Sequence, residues 1–180
     1  MTGFDSDGWR ADMAHAVNHL LLHFQARFGY PPDEQTIGGP AAADELARAS
    51  GVLPEQLLTF YRHVSEVDLP DVFNGFFIHP LNTVLANLPD PLTPKHAPGL
   101  TDSSLVVFGS DGGGTLFALG TEDGVVYVLP VGEIRDGAYL GGGAEPGRAV
   151  FQDLWDFLGW LLHAVRGVAE GDLEKAVYPG

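Results

Sequence analysis

"LVVFGSDGGGTLFALGTEDGVVYVLP", residues 105–130, decides how this chain is read. Two apolar runs flank an acidic residue and three consecutive glycines, Gly112, Gly113 and Gly114. A phosphate-binding P-loop needs a Lys followed by Ser or Thr after its glycines, so that the ammonium reaches the phosphates and the hydroxyl takes magnesium. Here Thr115 follows Gly114 directly, with no Lys nearby, and Asp111 repels phosphate. A dinucleotide fingerprint opens a helix, whereas an apolar strand pattern follows these glycines. A nucleophile elbow needs Gly-x-Ser-x-Gly between strand and helix, and residues 108–112 do not supply it. A calcium loop alternates several oxygen ligands, and Asp111 stands almost alone. The remaining reading is a β-hairpin, because glycine supplies positive φ and alternating apolar runs flank the turn.

The neighbouring segments extend that hairpin. "SLVVFG" and "TLFALG" read as its two strands, "TEDG" as the next turn and "VVYVLP" as a third strand. Turns this short leave no room for a crossover helix, so the three strands are antiparallel neighbours. Upstream, "NGFFIHPL" is a further short strand bounded by Asn74-Gly75 and Pro80. "NTVLANLPDPLTPKHAPG" is a proline-broken connection with room for one helical turn, and "RDGAYLGGGAEPGR" is a loop.

Helices occupy both ends. Residues 9–28 place Ala14, Val17, Leu20, Leu21, Phe24 and Phe28 at the helical period, with Asp5, Ser6 and Asp7 as alternative caps and Gly29 as the stop. "AAADELARAS" is a short second helix, and "LPEQLLTFYRHVSEV" a third, starting at Pro54. Residues 150–169 bury Phe151, Leu154, Trp155, Leu158, Leu162 and Val165, and Gly171 ends them. The expected fold is one α+β domain of 180 residues, with a central antiparallel sheet flanked by N-terminal helices and a C-terminal helix. Its core covers about residues 53–169, and residues 1–52 form a helical extension. The "DLEKAVYPG" tail is expected to be partly ordered.

Composition narrows the function. At 45% hydrophobic and 18% charged residues, the chain is globular. Twenty-four acidic residues against 9 basic give a net charge of -15, which repels nucleic acid and anionic membrane and steers basic proteins. There is no Cys, which excludes disulfides and thiolate chemistry. The start "MTGFDSDGWR" shows no apolar leader pattern, and no apolar run spans a bilayer. A cytoplasmic protein without cofactor is the expectation.

His15, His19 and His23 stack at i, i+4, i+8 on one stripe of the first helix. Neighbouring pairs have chelating spacing, but the stripe lies opposite the apolar face, and a zincin would carry Glu where Ala16 stands. The stripe is read as a solvated face that holds no metal. His63, His79, His96 and His163 are scattered, and no nucleophile–base pair stands out.

In order, Leu53-Pro54, Asn74-Gly75, Gly109 to Gly114, Asp123-Gly124, Val126-Tyr127 and Phe151 to Leu158 form a pattern that resembles the SMI1/KNR4 (SUKH) superfamily. The likeness covers about residues 53–165. It implies a non-catalytic protein-binding fold. Many bacterial members are similar to immunity proteins that neutralise toxins of the nuclease or deaminase class, and fungal relatives resemble regulatory interaction domains. The acidic balance suits a basic toxin domain as partner. Candidate contacts are Asp68, Asp71, Asp111, Glu122 and Asp123, all in segments read as surface loops.

Overall fold

The apolar repeat at the N-terminus becomes helix α1 (Ser6–Phe28), capped by Asp5, whose carboxylate accepts the Gly8 amide at 2.9 Å. Residues 4–179 are described by a computed structural model; residues 1–3 of the acidic start, and Gly180, lie outside it. After α1 come strand β1 (Thr36–Ile37), helices α2 (Ala43–Ala49) and α3 (Glu55–Tyr61), and strands β2 (Val67–Leu69) and β3 (Phe76–Ile78). Helix α4 (Leu81–Asn87) precedes β4 (Leu105–Asp111), β5 (Leu116–Gly120) and β6 (Val126–Leu129). A small hairpin of β7 (Glu133–Arg135) and β8 (Ala138–Gly141), then β9 (Arg148–Phe151), helix α5 (Leu154–Glu170) and a 3-10 turn (Leu173–Ala176) complete the chain.

The fold is α+β. Seven strands form one antiparallel sheet in the order β1-β2-β3-β4-β5-β6-β9. The three strands of residues 105–130 are adjacent and antiparallel, as their short turns require. Their sequences are apolar at nearly every position because both faces of this half of the sheet are covered. Val106, Phe108, Phe117, Leu119, Val126 and Val128 face the helices and join the main core with Phe157 and Leu158 of α5. Leu105, Val107, Ala118, Tyr127 and Leu129 face the other way and pack with Ala97 and Tyr139. Each fully buried Leu or Phe contributes about 1.5–3 kcal/mol.

Helix α1 is part of the core. Trp9, Met13, Leu20 and Phe24 are buried in the main cluster. The Trp9 indole donates to the Leu158 carbonyl of α5 at 2.8 Å, and Arg27 donates to the Val168 carbonyl at 2.6 Å. The latter places a cation at the C-terminal carbonyls of α5, where Val168 also accepts the Gly171 amide at 3.1 Å.

Several segments differ from the sequence reading, among them the connection given room for one helical turn, which carries about two turns in α4. The C-terminal helix starts at Leu154, because Asp153 caps it by accepting the Asp156 amide; Arg148–Phe151 instead pairs with β6 as an edge strand. The segment read as a loop holds the β7–β8 hairpin, turned by Asp136 (φ 50°) and Gly137 (φ 79°). Two successive positive φ angles mark a type I′ turn, for which Asp-Gly is a strong signal. The third helix stops at Tyr61, and Val67–Leu69 becomes strand β2. The tail is anchored: Ala176 is buried, and the Tyr178 ring packs 5.3 Å from Trp160. Among the described residues, no helix is long and apolar enough to cross a membrane.

Candidate functional site

The triple glycine closes the hairpin from β4 to β5 around Asp111. One Asp111 carboxylate oxygen accepts the amides of Gly113 and Thr115, each at 2.9 Å, and the other accepts the Tyr178 hydroxyl at 2.7 Å. The turn amides that a phosphate would need are therefore already spent, Gly113 and Thr115 on the carboxylate and Gly112 and Gly114 on the backbone carbonyls of Gly75 and Asp111. Gly114 has φ 86°. A Cβ on Gly112 would overlap the Asn74 carbonyl oxygen, so side-chain-free backbone is required there. Asp111 itself is buried at 9% exposure. This corrects its reading as a surface contact: its charge is consumed inside the turn.

The other four acidic candidates are separated by the sheet. Because β4 runs from Leu105 to Asp111, its two ends lie about 20 Å apart at ~3.3 Å per residue. Asp71 sits at the Gly-turn end, where its carboxylate accepts the Asp33 amide and the Gln35 side-chain amide, both at 2.7 Å. Asp68 is not in a loop: it is an exposed position of β2, paired with Thr36 and Phe77. Glu122 and Asp123 lie together at the opposite end.

That opposite end is organised. Glu122 accepts from the Ser103 hydroxyl at 2.6 Å, the Ser104 amide at 2.7 Å and the Thr121 hydroxyl at 2.7 Å, and its own amide donates back to Ser103 at 3.0 Å. These bonds, Ser103's first, pull its carboxyl down to about 2. Asp123 accepts the Val125 amide at 3.0 Å and the Tyr127 hydroxyl at 2.7 Å. Exposed Asp102 stands beside Ser103. Gln56 of α3 accepts the Leu154 amide at 2.9 Å and packs against Gly124, which brings the α5 N-terminus, with Asp153 and Asp156, next to this turn. Asp102, Glu122, Asp123, Asp153 and Asp156 thus make one acidic end, with the two turn carboxylates held in fixed orientations.

A further pair escaped the sequence reading. His79 Nε2 lies 3.0 Å from Ser110 Oγ, across neighbouring strands β3 and β4. Beside it lies a shallow cleft of about 170 Å³ lined by Glu66, Asp68, Phe77 and Pro80. Burial pushes the His79 imidazole below its ordinary range. Its Nδ1 is buried without a partner. Which of the two donates follows from the His79 tautomer. The bond fixes the two side chains against each other across the strands. Nothing local marks this pair in the sequence, since 31 positions separate its members; only the β3–β4 register joins them.

His15, His19 and His23 all face solvent from α1, with the His19 and His23 rings edge-to-face at 6.0 Å. Among the described residues, no group of three or more His, Cys, Asp or Glu side chains is placed to hold a metal ion. No protein-family model and no curated protein matches the chain.

Proposed function

We propose that this chain is a non-catalytic binding module for a basic protein, acting as an SMI1/KNR4-like immunity protein that neutralises a bacterial toxin of the nuclease or deaminase class. The acidic end of the sheet carries this reading. Its carboxylates sit on one surface of a chain with net charge -15. Glu122 stays ionised far below neutral pH because three donors hold it. Carboxylates already fixed by hydrogen bonds lose less side-chain freedom on binding than free ones. A one-signed surface also accelerates encounter with a basic partner. The toxin class comes from the family resemblance.

Co-expression with toxins encoded beside the gene tests this reading. A cognate toxin is expected to be neutralised and to bind below micromolar. Its association should slow as salt rises, while dissociation changes less. Asp102→Lys, at an exposed site whose side chain makes no hydrogen bond among the described residues, should slow association several-fold. If no neighbouring toxin is neutralised or bound below micromolar, the immunity reading fails, and a regulatory interaction domain without a toxin partner takes its place.

A further inference from the structure

Turn residues 70–75 contain a conformation that the chain has no local reason to adopt. Phe73 has φ 56°. A bulky aromatic in the left-handed region is an outlier, and Gly or Asn would take it with less strain. The turn is held by its surroundings: Val72 is fully buried, its amide donates to the Leu69 carbonyl, and Gly75 donates to the Val72 carbonyl at 2.9 Å. The ring that this strain positions is only half covered: Phe73 is 50% exposed. Strain of this kind collects at functional sites.

Phe73 forms one wall of a groove of about 280 Å³, whose other walls come from the C-terminal parts of α1 and α5. Phe24 and Phe28 form its floor, with Tyr30 and Leu173 at the rim, 52% and 46% exposed. The Tyr30 ring stands edge-on to Phe24 at 5.2 Å. The groove is smaller than a usual small-molecule cavity; its size suits one large side chain. Its surroundings are acidic. Asp71 lines it, Asp33 is joined to Asp71, Glu34 follows, and Glu174 is next to Leu173. None of these four is in an ion pair among the described residues. One cation, Arg27, lies 6.0 Å over the Phe28 ring and donates to the Val168 carbonyl, against these four carboxylates.

We propose that this groove docks a single large apolar side chain, flanked by Lys or Arg, from a basic polypeptide segment. An aromatic slot supplies the anchor, and the unpaired carboxylates around it select the flanking charges. The inference rests on the protein-binding reading above and adds a second contact surface at the opposite end of the sheet from Glu122 and Asp123.

The probe is a short fluorescein-labelled peptide of Gly, Lys and Arg with one central Trp, titrated by anisotropy against the full chain. Control peptides carry Ala for Trp, or Glu for the basic residues. The Trp peptide is expected to bind in the micromolar range, the Ala peptide about tenfold more weakly, and the Glu peptide not at all. Phe73→Gly and Leu173→Ser should each weaken the Trp peptide about tenfold. Phe73→Gly should also keep or raise the thermal midpoint, since Gly adopts positive φ without strain; this separates lost binding from lost folding. Equal affinity for Trp and Ala peptides, or no binding tighter than millimolar, overturns the groove. Binding that survives Phe73→Gly and disappears in Asp102→Lys overturns the groove but leaves the acidic-end reading standing. Toxin neutralisation, measured separately, decides that reading whatever the peptides do.

Discussion

Asp111→Ala removes the acceptor at the centre of the hairpin that defines this fold. Three donors lose their partner: the amides of Gly113 and Thr115, and the Tyr178 hydroxyl. Gly113 is exposed and water replaces most of its bond. Thr115 and Tyr178 are half-buried and are only partly resolvated. Hydrogen bonds to a charged group are worth about 1.5–3 kcal/mol each, so two such losses, discounted for partial resolvation, predict a destabilisation of about 3 kcal/mol. For a domain of this size that is about 6–12 °C in midpoint. Asp111→Asn keeps the oxygen that receives both amides, and the Tyr178 hydroxyl can rotate to accept from the new amide. It should lose only about 1 kcal/mol. Tyr178→Phe should couple to Asp111→Ala by about 1–2 kcal/mol in a double-mutant cycle. Urea denaturation followed by circular dichroism measures the stabilities. Amide exchange at Gly113 and Thr115 should accelerate in Asp111→Ala and not in Tyr178→Phe. If Asp111→Ala unfolds within about 0.5 kcal/mol of the native chain, or shows no coupling to Tyr178, the buried carboxylate is not what holds the turn and tail.

His79 and Gly112 give two further tests. The folded pKa of His79 lies below its ordinary value of 6.5, so the fold favours the neutral ring. That contribution is complete above pH 6.5 and is lost as pH falls through the folded value. Stability of the native chain should therefore decline below pH 6.5, and His79→Gln should flatten that part of the profile; identical slopes would refute the burial argument. Gly112→Ala forces a Cβ into the Asn74 carbonyl oxygen and should destabilise by about 2–4 kcal/mol. A urea midpoint unchanged from the native chain would mean that the β3–β4 turn contact is not as tight as described.

What the sequence determined by itself was governed by near neighbours. The three strands of residues 105–130 follow from turns too short for a crossover, and α1 from one helical period with a capping Asp and a stopping Gly. The β7–β8 hairpin reads as loop in the sequence: Asp136-Gly137 is a local turn signal, but the glycine-rich flank after it masks the strand. Long-range pairing decided the rest. Asp111 looks like an exposed turn acid until Tyr178, 67 positions later, closes over it. Arg148–Phe151 continues the apolar period of α5 and becomes a strand because β6 offers an edge and Asp153 a cap. The acidic candidates look equivalent in the chain, yet the sheet sends Glu122 and Asp123 to one end, Asp71 to the other, and buries Asp111 between backbone donors. The His79–Ser110 pair and the Phe73 groove have no local signal at all. Each is made by elements that local propensity forms but cannot place, because which strand lies beside which, and which helix ends meet, depend on where the whole chain buries its apolar faces.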